Sequence, residues 1–77
     1  MDKRELWESL TRRPNAVRYE ELAMLLERCG FEQARRRGSH HTFKGHGLII
    51  TVPERRPHIL PVYVKDALRR TKEYLDD

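Results

Sequence analysis

The chain has 77 residues, with 16 Lys/Arg against 12 Asp/Glu and a formal net charge of +4. That length allows one hydrophobic core and no second domain of ordinary size. Cys29 is the only cysteine, which excludes a disulfide framework and a cysteine-based zinc site. The first residues, Met1-Asp2-Lys3-Arg4-Glu5, are charged and no long apolar run follows them, so the expectation is a cytoplasmic protein with no signal peptide and no membrane span.

The position of the charge is more informative than its total. The window from Phe31 to His58 holds six basic and two acidic residues, while the rest of the chain is balanced at ten of each. The same window contains all four histidines. A localised basic zone of this kind is a footprint for phosphates, although a solvated strand edge guarded by cations has the same composition.

In chain order, Asp2 to Thr11 reads as a short helix with Leu6, Trp7 and Leu10 on one side, ended by Pro14 and Asn15. It is taken as a docking helix, with 1–15 an N-terminal extension and 16–77 the functional domain. Tyr19, Leu22, Leu25, Leu26 and Cys29 then recur at helical spacing, and Gly30 supplies the stop, so Tyr19 to Cys29 is predicted as a helix with one buried stripe. The period changes to two after Gly30. Phe31 to Arg37, His40 to Lys44 and Leu48 to Val52 read as strands, joined by Gly38-Ser39 and by Gly45-His46-Gly47. Leu48-Ile49-Ile50-Thr51-Val52, nearly all aliphatic or β-branched, is expected to be the central, best-buried strand. After Pro61, Val64, Ala67, Leu68, Thr71 and Leu75 return to a helical period. The predicted class is α+β: a helix, a three-stranded antiparallel sheet and a helix, with the N-terminal helical extension. Such a sheet buries one face under its helices and leaves the other open.

Alternation along His40 to Lys44 divides that strand's chemistry. Phe43 is the core residue and His41 shares its side, so His40, Thr42 and Lys44 face outward. Arg35, Arg36 and Arg37 lie across a tight turn, and alternation must point at least one of them away from the outward face. An imidazole, a hydroxyl and several cations on one surface suit RNA cleavage. That reaction needs a base for the ribose 2′-hydroxyl proton, an acid for the leaving oxygen, and cations for the charge on phosphorus. Histidine, with an ordinary pKa of about 6.5, can serve either proton-transfer role near neutrality. DNA lacks the 2′-hydroxyl and is not a substrate for this route.

The segment Arg37-Gly38-Ser39-His40-His41-Thr42-Phe43 resembles the signature of HicA toxins, ribosome-independent mRNA interferases of bacterial and archaeal toxin–antitoxin pairs. The resemblance extends to Ala16-Val17-Arg18-Tyr19-Glu20-Glu21-Leu22, Leu26 to Phe31, Ile50 to Pro53 and Tyr63 to Leu68. It implies a double-stranded-RNA-binding-domain-like fold, His40 as the catalytic residue, mRNA as the substrate and a HicB-type antitoxin that covers the site. The RNA contacts are then assigned to Arg35, Arg36, Arg37, Ser39, Thr42 and Lys44. No cofactor or metal is expected, because adjacent His40 and His41 diverge on a strand and no cysteine or well-placed carboxylate completes a zinc set. His41 is expected to pack or hydrogen-bond on the core side, Gly38 and Ser39 to shape the turn, and His46 and His58 to be incidental surface residues. The alternative functions are a non-catalytic RNA-binding module on the same fold and a protein-interaction domain whose basic zone meets an acidic partner.

Overall fold

A computed structural model describes residues 1–76. Its elements run α1 (Lys3–Arg12), α2 (Tyr19–Arg28), β1 (Glu32–Arg37), β2 (His40–Gly45), β3 (Leu48–Pro53), α3 (Pro61–Thr71) and a 3₁₀ turn (Lys72–Tyr74).

Local chemistry sets each boundary. Asp2 accepts the backbone N–H of Glu5 at 2.8 Å, and Glu5 accepts that of Asp2 at 3.2 Å, so a reciprocal box starts α1. Glu21 performs half of this task for α2, accepting the Arg18 N–H at 2.9 Å. The same carboxylate takes both Arg13 guanidinium nitrogens, at 3.0 and 2.6 Å, tying the α1–α2 connection to the helix start. That pair holds Glu21 below the usual carboxylate range. At the other end of α2, Gly30 N–H bonds the Glu27 carbonyl and Phe31 N–H bonds the Leu26 carbonyl, the two bonds of a Schellman stop. Pro61 occupies the first turn of α3, where its missing N–H has no cost.

The three strands form a meander in the order β1-β2-β3, antiparallel throughout. The central strand is therefore β2, and the expectation that Leu48–Val52 lies in the middle is corrected: β3 is an edge. Its aliphatic character reports alternation instead. Ile50 and Val52 are buried under the helices, while Ile49 is 58% exposed on the other face. Two-residue turns join the strands, and the second has His46 and Gly47 both at positive φ, the geometry that matches hairpin twist. Gly45 is required by proximity. A Cβ there would sit 2.6 Å from the Gly30 carbonyl oxygen and 2.9 Å from the Phe31 Cα.

One core unites the helices with the covered sheet face. It comprises Leu6 and Leu10 of α1, Leu22, Leu25 and Leu26 of α2, Phe31, Phe43, Ile50 and Val52 of the sheet region, and Val64, Ala67 and Leu68 of α3. Trp7 adds a polar tie from α1, donating its indole N–H to the Leu68 carbonyl at 2.9 Å. The α-β-β-β-α order that follows α1 is that of a double-stranded-RNA-binding domain. Among the described residues no helix is long and apolar enough to cross a membrane.

Candidate functional site

Register determines what the open sheet face displays. In β1 and β2, Arg37 pairs with His40, Arg35 with Thr42 and Glu32 with Lys44. In β2 and β3, His40 pairs with Pro53, Thr42 with Thr51 and Lys44 with Ile49. Directly opposed residues share a face. The side of the sheet opposite Phe43 therefore carries His40, Thr42 and Lys44 down its central strand, with Arg35 and Arg37 along one flank. His40 is exposed at the start of β2. Among the described residues, Arg35, Arg37 and Lys44 take part in no ion pair. Several arginines elsewhere are engaged: Arg13 with Glu21, Arg56 with Glu20 and Glu54, and Arg69 and Arg70 with Asp66. Three cations that form no ion pair thus share the sheet face that carries the imidazole.

Arg36 stands apart from its neighbours. It pairs with His41, which places it on the helix side, and its Nε donates to the Gly38 carbonyl at 3.0 Å across the turn. A register irregularity between Gln33 and Arg35 leaves Ala34 without a partner and sets this phase for the three arginines. Ser39 is exposed in the turn beside Gly38, whose φ is +57°. Its carbonyl accepts the Glu54 backbone N–H at 2.6 Å, so the residue before His40 is held to the end of β3.

Behind this face lies a polar cluster that the sequence reading did not assemble. His41 is 3% exposed. The Gln33 side-chain amide donates to its Nδ1 at 3.1 Å, which leaves Nε2 to carry the hydrogen and donate to Glu54 Oε1 at 2.9 Å. Glu54 Oε2 accepts from Arg56 at 2.7 Å, and Arg56 reaches Glu20 at 2.9 Å. The hydrogen bond from His41, followed by the charge of Arg56, holds the Glu54 carboxyl below its ordinary range. The Tyr19 ring packs on His41 with centroids 4.3 Å apart. Burial, reinforced by the negative charge of Glu54, raises the Tyr19 phenol above its ordinary value. The one sequence signal for this cluster was Glu54, an acid in the basic window immediately after the proline that faces His40.

His46 also has a role that composition did not show. Its Nε2 donates to the Cys29 carbonyl at 2.7 Å, and its ring stacks on Tyr74 at 3.8 Å and 8°. It fastens the β2–β3 hairpin to the end of α2 and to the C-terminal turn. His58 is half-buried in the connection to α3.

The family model described as HicA toxin of bacterial toxin-antitoxin matches residues 19–72, which spans α2 through α3 and includes the whole sheet. The chain belongs to the HicA toxin family. Membership makes it the toxin of a toxin–antitoxin pair, with an antitoxin as its protein partner. Neither the curated proteins nor the solved structures yield a match. In this HicA-family chain the matched region begins at Tyr19, the residue that packs on His41, and contains His40, the three arginines and Glu54. The helix α1 lies outside it and supplies Leu6 and Leu10 to the shared core.

Proposed function

We propose that this toxin is a ribosome-independent endoribonuclease that cleaves mRNA on the open face of its sheet, with His40 as the catalytic residue. The observation that carries the reading is one exposed imidazole on the same sheet face as Arg35, Arg37 and Lys44, none of which forms an ion pair among the described residues. Arg37 and Arg35 flank His40 and Thr42 by register, and Lys44 follows on the same face. Those cations supply contacts to phosphate and stabilise charge that develops on it.

The chemistry is an in-line transesterification. His40 takes the proton from the ribose 2′-hydroxyl while the 2′-oxygen bonds to phosphorus. The bond from phosphorus to the 5′-oxygen breaks, and that oxygen takes a proton from the imidazolium or from water. The products are a 2′,3′-cyclic phosphate and a 5′-hydroxyl end. A single imidazole of this kind contributes about 10²- to 10⁴-fold, so the enzyme is slow. Arg35, Arg37 and Lys44 hold the backbone, with Thr42 and Ser39 beside the scissile group. Arg36 serves the turn and reaches RNA only at its rim. The reaction draws on no metal or cofactor. The partner is a HicB-type antitoxin that covers this face, and the setting is cytoplasmic. Residues 1–15 form an extension to a functional domain over 16–77.

The deciding experiment is incubation of purified protein with a single-stranded RNA under metal chelation, followed by end-group analysis. Wild-type protein produces 2′,3′-cyclic phosphate ends, and His40→Ala produces none while keeping its circular dichroism. Equal cutting by both proteins sinks the assignment. RNA binding without products at any time assigns the chain to a binding module instead.

A further inference from the structure

We infer that His41 and Glu54 form a positioning pair that aims His40, acting through the grip of the Glu54 backbone on Ser39. The inference rests on the cleavage reading of His40 and adds residues that reading does not use.

Three observations converge. First, every polar atom of the buried His41 ring is satisfied from outside its own strand's backbone: Gln33 donates to Nδ1 at 3.1 Å, and Nε2–H donates to Glu54 at 2.9 Å. One tautomer meets both demands, so the ring orientation is fixed. Second, Glu54 is fastened on both carboxylate oxygens, by His41 on Oε1 and by Arg56 on Oε2 at 2.7 Å. A residue just past the end of a strand would otherwise be free to fray. Third, the backbone of this immobilised residue donates to the Ser39 carbonyl at 2.6 Å. Among the described residues the Ser39 side chain makes no hydrogen bond, and a Cβ on Gly38 before it would meet open space. The chain entering His40 is thereby held from β3, on the side opposite the Arg36–Gly38 bond.

A core need not be built this way. His41 is buried between Val52, its partner on β3, and the Tyr19 ring, among surroundings in which polar groups are the exception. A buried polar chain confers one defined geometry when all its members are satisfied. Here that geometry ends at the residue preceding the proposed catalytic imidazole, where misplacement by about 1 Å costs on the order of 100-fold in rate.

The test combines kinetics with amide hydrogen exchange on the full chain. Glu54→Ala is expected to lower kcat on a defined RNA oligonucleotide by about 10- to 100-fold with KM within about twofold. The amide at position 54 is expected to exchange at least about tenfold faster, while amides in the middle of β2 and β3 keep their rates. Glu54→Gln, whose amide oxygen still accepts from His41, is expected to recover most of the loss. A wild-type kcat in Glu54→Ala, beside an inactive His40→Ala, overturns the positioning role and leaves the function intact. Uniform acceleration of all sheet amides, or failure of Glu54→Gln to recover activity, also overturns it, because the effect is then general stability or charge. If wild-type protein cuts no RNA, the functional reading fails. The exchange rate at position 54 then decides the grip on Ser39 by itself, and an unchanged rate in Glu54→Ala overturns it.

Discussion

His40 and His41 are bonded neighbours that face opposite ways: His40 is exposed beside Arg37 and Pro53, and His41 is 3% exposed between Gln33 and Glu54. One strand step therefore separates an imidazole available to substrate from one committed to structure. The two histidines should respond to substitution in opposite senses. His40→Ala should leave the free energy of unfolding in urea within about 0.5 kcal/mol of wild type, as exposed substitutions do. His41→Ala should cost about 2 kcal/mol or more, because it opens a hole under Tyr19 and leaves Glu54 and Gln33 without their shared partner. Equal losses in the two variants would contradict the assignment of faces.

The open-face cations can be counted through salt. Arg35→Ala, Arg37→Ala and Lys44→Ala should each weaken RNA binding and reduce the slope of log K against log salt by about 0.7, the value for one single-strand phosphate contact. Arg36→Ala should reduce that slope by clearly less, since its guanidinium points to the Gly38 carbonyl on the helix side. Fluorescence anisotropy with a short labelled oligonucleotide across a salt series measures all four.

Stability should fall in acid for identifiable reasons. Glu21 and Glu54 are both held below the ordinary carboxylate range, by Arg13 and by His41 with Arg56. A depressed folded-state pKa means that the unfolded chain binds protons more readily. The stability contributed is present above the unfolded value of about 4.3 and is lost as pH falls through and below it. Thermal midpoints should therefore hold steady near neutrality and drop below about pH 5. Arg13→Ala should flatten part of that drop, because Glu21 then loses its largest cause of depression.

Alkaline titration provides the opposite sign. Tyr19 is raised by burial and by the charge of Glu54, so its stabilising contribution is complete below the ordinary phenol value and is lost as pH rises through its higher folded value. Followed by phenolate absorbance, Tyr19→Phe should remove part of the late-titrating signal and leave the part from Tyr74, which its hydrogen bond to Glu73 also raises.

Two glycines should separate strain from crowding. Gly38→Ala meets open space but demands φ of +57° from a residue with a Cβ, at a cost of about 1 kcal/mol. Gly45→Ala drives its Cβ against the Gly30 carbonyl and Phe31 Cα, both backbone atoms that cannot swing aside, at a cost of about 2 kcal/mol or more. Urea denaturation of the two variants orders them, and a milder loss at Gly45 would refute the close approach.

The elements were legible because each announces itself locally. The stripe Tyr19, Leu22, Leu25, Leu26 with Gly30 behind it specified a helix and its stop, and the structure ends α2 within one residue of the predicted Cys29. The three strands begin and end within one residue of their predicted bounds for the same reason, since turn residues bracket alternating runs. Strand order was misjudged in one respect. Aliphatic content marked Leu48–Val52 as central, yet a meander puts the strand that is second in sequence in the middle. Composition records how much of a strand is covered on one face, not how many strands lie beside it.

By itself the sequence determined the helix–sheet–helix order, the covered side of β2 and the exposure of His40, because hydrophobic period and turn chemistry act over a few residues. It could not determine which of the cations were neutralised. Arg56 is bound by Glu20, 36 positions away, while Arg35 and Arg37 remain unpaired. Nor could it bring Gln33, His41 and Glu54 into one chain of hydrogen bonds beneath Tyr19. Those bonds join residues from three separate segments, and a hydrogen bond exists only at about 3 Å. Only the folded backbone, with its register and its one irregularity at Ala34, sets distances that fine.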